Sequence, residues 1–191
     1  MEWIIGDLKD FSSVCAEMVY ESLTDSRRKR IDRFKKPDDR LRSLFGEYLV
    51  KKLLKSKYGI ENAVIECAEN GRPYLKASKL FISISHSDEK VACAVSDRAV
   101  GIDVERLKPI KLGLIDRVCT DAEKLYVLNG AKTGADEVTD EGIITRFYEI
   151  WTGKEAYFKA KGTGITDFKS VNVLELDRKV EILDGYLVQM V

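Results

Sequence analysis

From Pro37 to Gly59, in "PDDRLRSLFGEYLVKKLLKSKYG", the apolar residues Leu41, Leu44, Phe45, Tyr48, Leu49 and Leu53 recur three and four positions apart. That period predicts a helix with one core-facing stripe, a proline in its first turn and a glycine as its stop. A second helical period runs through "ITRFYEIWTGKEAYFKAKG". Shorter helices are predicted in "TDSRRKRIDRF", with Thr24 as N-cap, and in "DAEKLYVLN". Between the long helices the pattern changes to short β-branched runs, "AVIECA", "LFISIS", "KVACAVS" and "AVGIDVE", separated by Gly, Asn, Ser and Asp, which predict an antiparallel meander. "EWIIG" predicts a strand at the start, and "SVNVLEL", "KVEIL" and "YLVQMV" predict three at the end, with "LDGY" as a turn. A long helix followed by a few strands occurs twice. The expectation is an α+β architecture of two similar halves, residues 1–98 and 99–191.

Composition narrows the classes. With 191 residues, 45% of them hydrophobic, the chain can bury a sizeable core. Lys+Arg and Asp+Glu are equal at 32 each, so any charge logic is local. No apolar run approaches the roughly 20 residues of a membrane span. The opening "MEWIIGDLKD" lacks the basic start and long apolar core of a signal peptide, and the chain reads as cytoplasmic. Cys15, Cys67, Cys93 and Cys119 are scattered with no CxxC pair. They read as buried, reduced thiols rather than zinc ligands or a disulfide framework.

The first candidate for chemistry is "VGIDVERL". On a strand, Ile102 and Val104 face one side while Gly101, Asp103 and Glu105 face the other, so two carboxylates lie close together. Alternation alone favours a polar outer face; the sharper reading is part of a Mg²⁺ site, for which two acids are a suitable but incomplete set. A third acid is available in "WTGKEAYFKAKGTGI", where Glu155 and Lys159 share a helix face. The plain reading of that pair is an exposed ion pair with Trp151 and Phe158 as core, which leaves the crowding of Lys154, Lys159 and Lys161 beside "GTG" unexplained.

The only histidine lies in "SISHSDEK", where Ser85, His86 and Ser87 follow the strand "LFISI". If the strand continues, His86 shares the face of Ile82 and Ile84 and reads as a core histidine; if not, a loop presents it. Between Ser26 and Arg42 nine Lys/Arg stand against Asp32, Asp38 and Asp39. That cluster reads as a solvated face, as a nucleic-acid or anionic-membrane surface, or, with Arg72 in "GRPYL", as a pocket for a small polyphosphate.

"GRPYL", "SISHS", "GIDVE" and "WTGKEAYFKAKGTGI", in that order and with about 50 residues between the last two, resemble the 4′-phosphopantetheinyl transferases of the surfactin-synthetase-activating (Sfp) type. The similarity runs from Gly71 to Ile165, with the basic region Arg27 to Ser43 also similar. The resemblance implies two α+β halves related by pseudo-twofold symmetry, with coenzyme A between them. It implies Mg-dependent transfer of the phosphopantetheine arm to a serine of an apo acyl or peptidyl carrier protein, releasing 3′,5′-ADP. Carried over by position, Asp103, Glu105 and Glu155 would hold Mg²⁺, Glu155 would also take the serine proton directly or through water, and Lys159 would stabilise the leaving pyrophosphate. Arg72, Ser85 and His86 would contact the phosphates and adenosine of coenzyme A, and Arg27, Arg30 and Ser43 its 3′-phosphate end. A monomer is expected, because one chain supplies both sides of its cleft, with neither nucleic acid nor membrane as partner. Two alternatives remain at this point: a catalytically silent coenzyme A or nucleotide-binding module of the same fold, and a binder of nucleic acid or membrane surfaces. Arg27 and Arg30 depart from the lysines common in the family. Cys119 departs from a frequent aromatic in the region expected to meet the carrier.

Overall fold

The structure is a computed structural model that describes residues 1–131 and 136–191. Strand β1 (Glu2–Asp7) is followed by helices α1 (Ser13–Glu21), α2 (Asp25–Ile31) and α3 (Pro37–Tyr58). Ser12 and Thr24 cap α1 and α2, their hydroxyl oxygens accepting from the backbone N–H of Cys15 and Arg27. α3 starts on Pro37 and stops at Gly59, whose φ of 68° is the left-handed conformation that glycine adopts without steric cost. Next come β2 (Ile65–Cys67) and β3 (Pro73–Leu75), and the hairpin β4 (Phe81–Ser87) and β5 (Lys90–Ser96). The second half runs β6 (Ile102–Arg106), β7 (Ile110–Lys111), α4 (Leu112–Val118), α5 (Asp121–Leu128), β8 (Glu137–Val138), α6 (Glu141–Lys161), then the hairpin β9 (Lys179–Leu183) and β10 (Tyr186–Met190). Among the described residues, no helix is long and apolar enough to cross a membrane.

Two antiparallel three-stranded sheets carry the molecule, ordered β1-β5-β4 and β6-β10-β9. In each, the first strand of the half pairs with the second strand of its hairpin, so the repeated element order is also a repeated strand order. The expected meander does not form. β2 and β3 make a small sheet of their own, and β6 pairs with β10 from the far end of the chain. Alternation fixes which face of a strand is buried, but not which strand lies beside it.

"SVNVLEL" is not a strand either. Short 3-10 turns span Phe168–Ser170 and Val173–Glu175, and the Asn172 side chain accepts from Leu174 N, a local bond that competes with sheet formation. α1, α4 and the short strands β3, β7 and β8 go beyond what the hydrophobic pattern predicts. All four cysteines are free, Cys93 and Cys119 buried but Cys15 and Cys67 only half-buried.

Three apolar clusters hold these elements. α3 packs Phe45, Leu49, Val50 and Leu53 onto Ile82, Val91, Cys93 and Val95 of the first sheet. Around α6, Phe147 and Ile150 join Ile115, Val118, Val127 and Val173. The third cluster unites the halves: Ala92 and Ala94 of β5 meet Ile102, Val104, Tyr186, Val188 and Met190. With that face of the second sheet spent on the other half, the opposite face, bearing Asp103 and Gln189, lies under α6. Two glycines allow the helix in. A Cβ on Gly101 would stand 1.7 Å from the Ala156 carbonyl oxygen, and one on Gly153 would stand 2.6 Å from Gln189 Nε2.

Candidate active site

β4 lies along β6, and every second residue of β4 turns a hydroxyl towards it. Ser83 Oγ accepts from Ile102 N at 3.1 Å, Ser85 Oγ donates to Asp103 Oδ1 at 2.6 Å, and Ser87 Oγ donates to Glu105 Oε2 at 2.7 Å. Serines two residues apart on one strand thus meet acids two residues apart on the other, an arrangement the period of 2 makes available to any pair of adjacent strands. Asp103 is only 3% exposed, so the polar-outer-face reading of β6 fails: that face is roofed by α6. Ser87 is noted in the sequence beside His86 but without a partner, and Ser83 is not anticipated there. Their signal is the alternation Ser83-Ile84-Ser85-His86-Ser87 in "SISHS", legible only once β6 is known to be the neighbour.

α6 delivers Glu155 and Lys159 one turn apart, but the expected exposed ion pair between them is replaced by another. Lys159 Nζ instead lies 2.6 Å from Asp103 Oδ1 and donates to Ser85 Oγ at 2.8 Å. Among the described residues, Asp103 Oδ2 is buried with no hydrogen-bond partner. Crowded acids resist ionisation together. Burial first, then the charges of Asp103 and Glu105, push Glu155 up to about 7 against the opposing pull of Lys159. Burial also raises Glu105, helped by Asp103 and opposed by the Ser87 hydroxyl and the Trp151 indole.

Lys154, next to Glu155, faces away from this cluster. It is fully buried, 2.7 Å from Glu123 Oε2, and donates to the carbonyls of Phe168 and Val171 at 2.6 and 2.8 Å. Glu123 in turn closes the capping box of α5 with Thr120 and accepts from Val173 N at 2.8 Å. The pair is satisfied on every side and ties the segment after α6 beneath the helix. The crowding of lysines near "GTG" is therefore two separate things, one structural lysine and one in the acidic cluster.

A cleft of about 370 Å³ opens between the halves, its wall including Arg72, Ser83, Glu155, Lys159, Thr163 and Gly164. The turn before β3 closes one end of it by docking on the C-terminus of α6. Asn70 Nδ2 donates to Gly162 O at 3.2 Å and Arg72 Nη2 to Ala160 O at 3.3 Å, a favourable place for a cation at a helix's carbonyl end. Arg30 stands behind this turn, so close that a Cβ on Gly71 would come within 2.6 Å of its Nη2.

The remaining basic positions divide. Arg27 is buried and committed inside the first half, its guanidinium 3.1 Å from Glu47 and donating to Cys67 Sγ at 3.0 Å. Ser43 is half-buried on α3 beside Arg42, whose guanidinium donates to Asp88 O at 2.8 Å and to Asp39 at 2.9 Å. β4 continues through His86, which does share the Ile82 and Ile84 face but is solvent-exposed, not core. Partial desolvation, with Arg42 and Lys159 nearby, holds its imidazole below the usual range, while Asp39 pulls the other way.

The acidic cluster fits a hard divalent cation by its donors: three carboxylates and one bare, buried carboxylate oxygen on Asp103. It is not pre-arranged around one point. Among the described residues, no three His, Cys, Asp or Glu side chains already converge so as to share an ion, and an ammonium sits on Asp103.

Carboxylates beside a lysine, at a cleft with Arg72 on its wall, suit a phosphorylated ligand and transfer at phosphorus. Comparison with known proteins gives this class a family. Residues 99–186 match the 4′-phosphopantetheinyl transferase superfamily and residues 12–98 match "4′-phosphopantetheinyl transferase, N-terminal". A 4′-phosphopantetheinyl transferase of Bacillus subtilis is 31% identical over 172 residues, covering 86% of this chain and 73% of that protein. The 4′-phosphopantetheinyl transferase gsp of Aneurinibacillus migulanus is 35% identical over 129 residues, covering 66% of this chain and 51% of that protein. Sfp of Bacillus subtilis strain 168 is 31% identical, with 75% and 62% covered. The chain thus spans about half to three quarters of the length of these relatives, and it belongs to the 4′-phosphopantetheinyl transferase family.

Proposed function

We propose that this protein transfers the 4′-phosphopantetheine arm of coenzyme A to a serine of an apo acyl or peptidyl carrier protein, with release of 3′,5′-ADP. The observation that carries the reading is the junction of Asp103, Glu105, Glu155 and Lys159 at the wall of a cleft between the halves. Asp103, Glu105 and Glu155 would hold Mg²⁺, which when bound supplies charge neutralisation at the pyrophosphate. The chain's own residues position and neutralise, which is most of the work in a phosphoryl-type transfer. Ser85 and Ser87 hold the two β6 acids from the side of β4. Glu155, pushed up to about 7 by burial and Asp103, would accept the serine proton, directly or through water.

Lys159 would meet the charge that develops as 3′,5′-ADP leaves. Arg72 on the cleft wall, with Arg30 behind its turn, would serve the phosphates and adenosine of coenzyme A, with His86 and Ser43 on the first-half side. Arg27, paired with Glu47, would share its charge with a 3′-phosphate rather than offer it whole. In this reading residues 1–98 and 99–191 are two pseudo-twofold halves and the protein acts as a cytoplasmic monomer.

The test is mass spectrometry of several apo carrier proteins incubated with coenzyme A, Mg²⁺ and this protein. A gain of one phosphopantetheine on a carrier serine is expected. Asp103→Asn and Glu155→Gln should lose that gain while keeping a native circular dichroism spectrum. Normal turnover by either variant overturns the roles given to these acids, and no gain on any carrier overturns the function.

A further inference from the structure

Asp103 is paired with an ammonium. Its Oδ1 accepts from Lys159 Nζ and from Ser85 Oγ, both at 2.6 Å, and the same Nζ donates to Ser85 Oγ at 2.8 Å. The Asp103 side chain is 5% exposed, and a carboxylate so enclosed needs a compensating charge. Lys159 supplies it from the mouth of the site, with 30% of its side chain exposed and its stem on the wall of the cleft. The other oxygen, Oδ2, is buried and bare, and the acids around it do not yet converge on a common point.

Resting on the proposed reading of the cleft as a coenzyme A site, we infer that Lys159 is a tethered stand-in for the divalent cation, neutralising Asp103 in the ligand-free protein and leaving it when a phosphorylated ligand draws the ammonium into the cleft. Lysine suits both positions. It is a compact point charge on a flexible four-carbon stem, able to exchange one oxygen anion for another without losing its proton. An ammonium on Oδ1 and a divalent cation on Oδ2 of the same carboxylate repel each other, so the seated ammonium weakens metal binding at Asp103. An anionic ligand that gives Lys159 a new partner removes that obstacle. Metal and ligand therefore bind with positive coupling, and by reciprocity each strengthens the other to the same extent. The empty protein stays largely unloaded with metal, and the acid cluster completes itself only around its ligand.

The test measures Mn²⁺ binding by electron paramagnetic resonance, with and without coenzyme A. Lys159→Gln and Lys159→Met, which delete the charge, should bind Mn²⁺ about tenfold or more tightly than the parent in the absence of coenzyme A, within the usual range of coupling between sites. Lys159→Arg, which keeps the charge, should bind as weakly as the parent. Adding Asp103→Asn to Lys159→Gln should remove the gained affinity. Coenzyme A should tighten Mn²⁺ binding to the parent and change the charge-deleted variants less. If the folded charge-deleted variants bind Mn²⁺ no better than the parent, or if Asp103→Asn leaves their affinity intact, the inference is overturned. The coenzyme A reading fails separately: calorimetry would show no binding of coenzyme A to the parent, while the Mn²⁺ comparison without coenzyme A would still decide the role of Lys159.

Discussion

Asp103 shows what a single residue gains and loses by burial. One oxygen holds a hydroxyl and an ammonium, the other has no hydrogen-bond partner among the described residues, and the carboxylate's charge reaches across to Glu155 on the neighbouring helix. A glutamate that titrates at 4.5 when free and at about 7 in the fold binds its proton more tightly folded than unfolded. Its contribution to stability is therefore full below about pH 4.5 and is lost as pH rises through about 7. Glu155→Gln should flatten that decline. In metal-free buffer, urea midpoints at about pH 5 and about pH 8 should lie closer together in the variant than in the parent. At this scale the sequence named Asp103, Glu105, Glu155 and Lys159 by spacing and resemblance. It did not show that Lys159 sits on Asp103 rather than beside Glu155, since that contact joins residues 56 apart in the chain.

At the scale of elements, α6 reaches the second sheet because Gly101 and Gly153 leave room for it. Gly101→Ala would drive a Cβ to 1.7 Å from the Ala156 carbonyl oxygen, a backbone atom that has no rotamer by which to yield. The variant should lose roughly 3 kcal/mol or more of stability, read from denaturant midpoints. Gly113→Ala in α4 meets nothing within 4 Å and serves as the contrast, expected to be neutral or stabilising by up to about 1 kcal/mol. The helical periods of α3 and α6 were legible because a buried stripe repeats every turn, and their glycine stops because the left-handed C-cap selects glycine. "SVNVLEL" misled because its apolar residues pack around a turn stabilised by Asn172, and short apolar runs carry no period long enough to tell a strand from a turn.

In the whole molecule the two three-stranded sheets, β1-β5-β4 and β6-β10-β9, share a core. Ala92 and Ala94 lie against Val104, Tyr186 and Val188, Asn70 and Arg72 bind the end of α6, and Lys90 bridges Asp7 and Asp184. Separating the halves would strip all of these at once, so the chain should unfold as one cooperative unit. Trp3 reports on the first half and Trp151 on the second, and they are the only tryptophans. Thermal melts of Trp3→Phe and Trp151→Phe, each followed by the remaining indole, should be single transitions; within either variant, fluorescence and circular dichroism midpoints should coincide. A midpoint that splits between the two probes would show halves that melt independently.

What the sequence by itself determined is what repeats locally: the two long helices and their caps, the repeated order of elements, the alternation that puts Asp103 and Glu105 on one face, and the family pattern that joins them to Glu155 and Lys159. Tertiary structure alone decided that β6 pairs with β10 and lies beside β4, that Arg27 is spent on Glu47, that Lys154 and Glu123 neutralise each other out of water, and that Lys159 occupies Asp103. The reason is range. Periodicity and capping act over a few residues and leave their mark in the order of the chain, whereas a buried charge takes whichever partner the packing of distant segments brings within reach.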